Sequence, residues 1–498
     1  MTRLGVRHGN LVLLDEHGHL ATRALVMTGD KRVQVLRGGL QRILLPLGLM
    51  LLQKAGIKRG DAFILLLDND RKSVACILAA MHLQCVCCLI CKNRSALLEH
   101  VKRETGITKV LSVNDATSSV DVQDDVNPLA VQDSTYTIPW LPDDEISTNG
   151  CVCLLTSGSV GKPKIVACTW DHMVLQGKLM HQHVVPMRPT RIICCTSISH
   201  AFSINAIFSL FTSPYDLESE LCFASSAVGL YSLLTQQSDL FTFIYGTPGI
   251  YTALAAMPPA PLHADVPYCA GARLSLSLFR KMRDKYGLQL MQNYGSTETG
   301  NITAWFLCGK SFDGESKELE SNENLLYVGS VWPGVEASMK DNGEITITTP
   351  WQSKGYVTAC TLHRFLGTYH TSDIGIITKE KDGVSCIWLQ KRLRPNVHVK
   401  WRDQRIAYLP EEIEAVLIAH PCISDVLVLT QNKADRDQGI IKVRVVLNDG
   451  AFPDVLDIKE LCNDRNLPAL RDALAIEFAN YLPCSPAGKL VYAAPILL

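Results

Sequence analysis

The stretch 62–90, AFILLLDNDRKSVACILAAMHLQCVCCLI, sets the fold class. Ala62 to Leu67 is an apolar run ending in Asp68-Asn69-Asp70, the pattern of a strand running into a turn. From Ser73 to Leu83 apolar residues recur at helical spacing, with Val74, Ile77, Leu78 and Met81 on one face. Cys85 to Ile90 is a second apolar run, short enough for a buried strand. Strand, helix, strand in this order is a βαβ unit, and its crossover makes the two strands parallel. The rhythm returns at Phe241 to Tyr245 and around Gly287 to Gln292. From Val328 the texture changes to short alternating strands, such as Gly343 to Thr348. A helix is expected over Pro410 to Ala419, with Pro near its start and Glu411, Glu412 and Glu414 in its first turns, as the helix dipole favours. The acidic stretch Lys310 to Asn324 reads as a solvated loop.

Composition narrows the classes. A chain of 498 residues holds core for about three domains by length alone. A net charge of −1 carries no electrostatic footprint for nucleic acid or an anionic membrane. The longest apolar candidate for a span, Ile43 to Leu52, is broken by Pro46 and is far short of the ~20 residues a bilayer requires. No secretory pattern follows Met1, so the expected compartment is the reducing cytoplasm. The 18 cysteines sit mostly in apolar runs and read as small buried hydrophobes, neither disulfides nor zinc ligands.

Leu155-Thr156-Ser157-Gly158-Ser159-Val160-Gly161-Lys162-Pro163-Lys164 carries the chemistry. Glycines let the backbone turn tightly, and successive N–H groups in such a turn form an anion nest. Hydroxyls and two lysines add donors and charge. It is not a Walker loop, because Pro163 stands where Ser or Thr is required. On spacing alone, a polyphosphate loop and a plain Gly/Ser surface loop remain equal readings.

Further segments resolve this. The loop resembles the phosphate signature of the adenylate-forming enzymes, the superfamily of acyl-CoA synthetases, adenylation domains and luciferase-like ligases. Five more segments match in order, and the resemblance runs from about Arg59 to Lys489. It implies a large N-terminal adenylation core over 1–391, of stacked βαβ-type sheets plus a β-barrel-like subdomain. A small mobile α+β domain over 392–498 would carry the catalytic lysine, with the boundary at Lys391 to Arg394. It also implies ATP and Mg2+ as cofactors. Thr156, Ser157, Gly158, Ser159, Gly161 and Lys162 would hold the phosphates. In the motif Asn293-Tyr294-Gly295-Ser296-Thr297-Glu298, Tyr294 would pack on adenine, Thr297 contact phosphate and Glu298 hold magnesium, with Asn293, Gly295 and Ser296 lining the nucleotide. Gly271, Ala272 and Arg273 resemble the adenine-side turn, with Arg273 in place of the usual Pro.

Tyr369-His370-Thr371-Ser372-Asp373 resembles the Thr-Gly-Asp motif, in which Asp373 would accept hydrogen bonds from the ribose hydroxyls. Ser372 replaces Gly there, which is tolerable if its φ is negative. Arg392 keeps the hinge arginine, Lys391 replaces Gly and Arg394 takes the hinge position. Pro483 to Lys489 resembles the terminal Gly-Lys signature, making Lys489 the cation that bridges carboxylate and α-phosphate.

The implied reaction is attack of a small-molecule carboxylic acid on the α-phosphate of ATP, giving acyl-AMP and pyrophosphate, then acyl transfer to a nucleophile. His200, in Ser197 to Ser203, stands where amino-acid-activating relatives carry an aspartate for the α-ammonium. An imidazole is a poor ammonium partner, which argues for an acid without an α-amino group. Asn205, Tyr245, Gly246 and Thr247 are the other expected pocket residues. For the acceptor, an amine and a thiol (CoA or a carrier protein) stay open. Trp401 and extra residues fill a loop that carries Gly in thiol-forming relatives, which favours the amine, with His200 a candidate base. A nucleotide binder without chemistry is the further alternative. Val160 replaces a hydroxyl residue, but Lys162, Thr297, Glu298, Asp373, Arg392 and Lys489 are all kept.

Overall fold

The computed structural model describes residues 3–7, 10–14, 33–37, 39–113, 120–123, 149–156, 163–184, 188–305, 325–379, 383–392, 394, 396–401, 404–431, 433–448, 450–452, 454–464, 468–480 and 482. The chain divides into two compact units, one of Met1–Thr156 with Lys164–Gln390, the other chiefly of Lys391–Leu498.

In the large unit the βαβ reading holds. Strand Ala62–Leu67, helix Arg71–His82 and strand Val86–Cys91 follow one another, and the strands pair in parallel from Ala62↔Val86 to Leu67↔Cys91. Asp70 caps the helix by accepting from Ser73 N at 2.8 Å. The strands lie inside an eight-stranded sheet that also takes in Cys151–Thr156 and Lys164–Thr169. Their near-continuous apolar sequence fits a sheet covered on both faces. Leu65, Cys87, Leu89 and Val152 are fully buried.

A second sheet of six strands has the order Met291–Gln292, Val266–Cys269, Phe241–Gly246, Thr190–Cys194, Glu220–Ala224, Val33–Arg37. All its pairs are parallel except the last. Only Met291–Gln292 of the expected Gly287 to Gln292 is a strand, because Gly287 at φ +69° ends helix Leu276–Tyr286 instead. The barrel-like part takes the form of a third, six-stranded sheet with antiparallel outer pairs, containing Leu326–Val331, Glu344–Thr348, Tyr369–Lys379 and Ser385–Arg392.

The small unit is α+β. A hairpin, Val397–Trp401 with Gln404–Tyr408, precedes helix Pro410–Leu417 and the three-stranded sheet Ile423–Val428, Ile441–Leu447, Leu474–Phe478. Its own core includes Val399, Ile413, Leu417, Val443 and Ile458. Within the stretch expected to carry extra residues, Val399–Trp401 and Gln404–Arg405 belong to this two-stranded ribbon, with Trp401 opposite Gln404. Arg394 is held within this unit. Its Nη1 and Nη2 donate to Glu414 Oε1 and Oε2 at 3.0 and 2.6 Å, a bidentate pair.

The sixteen described cysteines are free thiols, most of them buried. Burial pushes the thiol of Cys87 well above its ordinary range, as expected of core packing. No described helix is long and apolar enough to cross a membrane.

Candidate active site

Sheet order assembles the candidate residues. Thr190–Cys194, Phe241–Gly246, Val266–Cys269 and Met291–Gln292 are consecutive parallel neighbours. Each predicted segment lies at or just beyond the carboxyl end of one of them: the loop to His200, Tyr245-Gly246-Thr247, Gly271-Ala272-Arg273, and Asn293 to Glu298. The carboxyl edge of a parallel sheet is where open α/β folds bind ligands, since loops converge there and helices begin.

Local sequence explains each placement. His200 is the N-cap of helix Ala201–Phe211, and its carbonyl accepts from Ile204 N at 2.9 Å. The loop before it is held by Asn69, whose Nδ2 donates to Thr196 O and whose Oδ1 accepts from Ile198 N, both at 2.9 Å. Asn205, on that helix, is buried and donates to Gln176 Oε1 at 3.5 Å. The Tyr245 hydroxyl lies 3.2 Å from Ser209 Oγ, and burial raises its pKa. Gly246 is required by space, since a Cβ there would stand 2.7 Å from the Tyr251 ring. Thr247 is the N-cap of helix Pro248–Ala255.

Gly271 turns at φ +90°. Gln292 staples that turn to the next strand, accepting from Leu274 N at 2.9 Å and donating to Ala272 O at 3.2 Å. Arg273 is exposed and donates to Gln390 O.

From Tyr294 onward the site reaches the other sheets. The Tyr294 hydroxyl donates to Asp373 Oδ2 at 2.7 Å, joining two predicted motifs 79 residues apart. Tyr356 donates to Glu298 Oε1 at 2.7 Å, and its hydroxyl is 3.4 Å from that of Tyr369. Lys164 Nζ lies 4.5 Å from the centre of the Tyr356 ring, a cation–π contact. Lys164 pairs with Thr156 across the strands that flank the phosphate loop. Burial first, then the Glu298 charge, raise the pKa of Tyr356, so it remains a neutral donor. The backbone of Thr297 and Glu298 is fixed as well: Ser353 Oγ donates to Thr297 O at 2.7 Å and Ser353 N to Glu298 O at 2.9 Å. Contacts thus join Thr156, Lys164 and Tyr356, with Glu298 and Tyr369 both on the Tyr356 hydroxyl, and strand Tyr369–Lys379 carries Asp373, which meets Tyr294.

One expectation is overturned. Ser372 has φ +60°, the left-handed region where a side chain is strained. That is the physical reason a glycine suits the position.

The sequence profile of the AMP-binding enzymes matches residues 46–357, more than half of the chain. The chain belongs to the AMP-binding enzyme family. It is an ATP-dependent, AMP-forming acid ligase of the adenylate-forming superfamily. It is 25% identical over 494 residues to 4-coumarate–CoA ligase 1 of Petroselinum crispum, covering 88% of this chain and 85% of that one. It is 24% identical over 456 residues to 2-succinylbenzoate–CoA ligase of Bacillus licheniformis, covering 88% and 90%. In fold it is similar to the amide bond synthetase of Marinactinospora thermotolerans, with a TM-score of 0.59 at 21% identity over 90% of this chain and 91% of that one. The o-succinylbenzoate CoA synthetase of Bacillus subtilis, bound to its acyl-adenylate, gives 0.61 at 16% identity over 90% of each chain.

Ser157, Gly158, Ser159, Gly161, Lys162 and Lys489 are outside the described residues. Arg392 is exposed at the end of strand Ser385–Arg392. Gly295 is exposed, Asn293 is buried, and Ser296 Oγ is engaged with Thr299 at 2.9 Å. Among the described residues no group of three or more His, Cys, Asp or Glu is arranged to hold a metal. Among the described residues, Glu298 offers a carboxylate beside the strands that flank the expected phosphate loop, through Tyr356 and Lys164. That donor set fits magnesium, which is bound by one or two carboxylates with substrate phosphates and water. Sequence reasoning missed Tyr356 altogether and missed the contacts made by Asn69 and Gln292, which it read only as part of a turn and the end of a strand. The Gly355-Tyr356 pair at a strand start was the only signal for the first.

Proposed function

We propose that the chain activates a carboxylic acid lacking an α-amino group as acyl-AMP, with release of pyrophosphate, and passes the acyl group to an amine. Adenine would lie on Tyr294 and the ribose on Asp373. The phosphates would lie along the loop from Thr156 to Lys162, near Thr297, with Arg392 reaching ribose or phosphate. Glu298 would hold Mg2+, which neutralises phosphate charge when bound. Lys489, on the small domain, would place a compact cation where negative charge develops. The small domain would turn about Lys391 to Arg394 between the two half-reactions. The observation that carries this reading is the Tyr294–Asp373 hydrogen bond, which brings the purine and ribose motifs to one place.

The acid side rests on His200, a group unsuited to pairing with an ammonium but within the loop that Asn69 fixes. The amine side rests on the Trp401 hairpin, where a narrow thiol arm would need open space. A thiol acceptor is the second reading, favoured by the relatives named as CoA ligases.

Purified protein is incubated with Mg·ATP, a panel of acids, and either CoA or amines. Acid-dependent pyrophosphate release with amide products is expected. Acyl-CoA as the sole efficient product sinks the amine reading, and no pyrophosphate from folded protein with any acid sinks the enzyme. Lys489→Ala is expected to slow adenylate formation by about 100-fold or more while sparing transfer from supplied acyl-AMP. Equal loss of both half-reactions contradicts the role given to Lys489.

A further inference from the structure

We propose that Glu344 is a positioning residue for nucleotide binding: it holds Ser372 in left-handed backbone and so aims the Asp373 carboxylate at the ribose. The inference rests on the reading of Asp373 as the ribose ligand.

The argument begins with register. Glu344 pairs with Ile374, but Thr346 pairs with His370. Two steps along one strand are matched by four along the other, so Thr371, Ser372 and Asp373 bulge opposite Ile345. A bulge breaks the ladder and re-aims side chains, at the expense of leaving backbone groups to be satisfied in other ways. Here side chains satisfy them. Thr371 Oγ1 donates to Ile345 O at 2.7 Å and accepts from Asp373 N at 3.0 Å. Ser372 N donates to Glu344 Oε1 at 3.2 Å.

Ser372 is the weak point. It is a side-chain-bearing residue at φ +60°, a conformation that costs about 1–2 kcal/mol and persists only where its surroundings over-determine it. Glu344 supplies that restraint and is itself restrained. Its side chain is mostly buried, and its Oε2 lies 3.1 Å from Lys340 Nζ and 3.6 Å from His370 Nδ1. Burial alone would raise its pKa, but Lys340, the Ser372 N–H and His370 outweigh this and lower it, so the acceptor is ionised at neutral pH. One residue on, Asp373 is pinned from the other side by Tyr294. Glu344 touches no part of the nucleotide in this scheme; it acts through Ser372.

The test is calorimetric binding of Mg·ATP, Mg·2′-deoxy-ATP and Mg·3′-deoxy-ATP to the full chain, with no acid present. Wild type is expected to prefer ATP over the deoxy analogues by about 10-fold or more, as a charged hydrogen bond warrants. Asp373→Asn is expected to erase that preference. If it does not, the ribose reading itself fails, and the claim for Glu344 falls with it. If Asp373→Asn erases it, Glu344→Gln is expected to cut it by about three-fold or more, with deoxy-analogue affinity unchanged. Folded Glu344→Gln with the full preference overturns the proposal, because a purely structural role moves the melting temperature and not this ratio. The double variant Glu344→Gln with Ser372→Gly covers a failure of the single variant to fold. Glycine takes the left-handed turn without restraint, so the preference should return to the wild-type value, and a double variant that folds without it overturns the proposal.

Discussion

Among the described residues three turns in the large unit put ordinary residues into left-handed backbone: one at Gln84, φ +54°, after helix Arg71–His82, and two that are each held by a glutamate. At the tip of the hairpin Gly355–Thr358 with Thr361–Arg364, Ala359 and Cys360 have φ of +47° and +57°. Ala359 N donates to Glu104 Oε2 at 2.9 Å, and Cys360 N to Glu104 O at 2.8 Å. At the bulge, Ser372 N donates to Glu344 Oε1. The device is the same: a carboxylate accepts an N–H that the strained turn leaves without a ladder partner. What differs is the neighbour. Ser372 precedes Asp373, which Tyr294 ties to the nucleotide motif, whereas the hairpin tip precedes a short strand with no predicted site residue. Under the role proposed for Asp373, strain does not by itself mark a functional position; it does so next to a carboxylate that other elements converge on.

The largest expected effect breaks the comparison cleanly. Asp373→Ala should weaken Mg·ATP binding by about 10- to 100-fold, the range for hydrogen bonds to a charged group. Ala359→Asn with Cys360→Gly, at the other turn, should leave ATP affinity unchanged. Calorimetric titration of both variants checks this. Equal ATP affinities would show that the two turns are functionally alike and that Asp373 does not bind nucleotide.

Much of the fold could be read from residue patterns, because burial and periodicity are local. The run 62–90 carries both the strand and helix periods, and its pairing is the expected parallel one. The site was legible where one short motif holds several chemical groups, as in Asn293 to Glu298. It was not legible where function passes through a second residue far along the chain. Nothing near Glu298 in sequence announces Tyr356, 58 residues away. The sign of φ at Ser372 was equally hidden, since it depends on a register shift against Glu344, and register is a property of two strands together. The five residues expected at the acid pocket lie on or just after neighbouring strands, and that sheet order is something a sequence shows only after the strands are paired.

The stability effects are smaller and run opposite to the functional ones. A two-residue hairpin with positive φ at both central positions favours Asn-Gly. Ala359→Asn with Cys360→Gly relieves two strained residues and should stabilise the protein by about 1–2 kcal/mol. Ser372→Gly relieves one, and glycine's extra freedom in the unfolded chain offsets part of the gain, leaving about 0.5–1 kcal/mol. Denaturant titration with unchanged m-values would measure both. If Ser372→Gly destabilises, the left-handed conformation is not strained, and the case for a restraining Glu344 loses its premise.

The smallest effect is the dependence on pH, and it separates the two glutamates by readout. The pKa of Glu104 is lowered chiefly by the Ala359 N–H, with Arg103 and His100 adding to it. That of Glu344 is lowered by Lys340, Ser372 N–H and His370 against the opposing effect of burial. A carboxyl whose folded pKa lies below its unfolded value stabilises the protein fully above the ordinary value of 4.5, and that contribution is lost as pH falls through the folded pKa. Glu104→Gln and Glu344→Gln should therefore each lie below wild type in melting temperature at neutral pH, by about 2 °C or less, and converge on it toward acid. The preference for ATP over 2′-deoxy-ATP should fall in the same acid window for wild type and stay intact in Glu104→Gln at neutral pH. A loss of ribose preference in Glu104→Gln at neutral pH would mean that the hairpin tip also governs the site, and the distinction drawn between the two turns would be wrong.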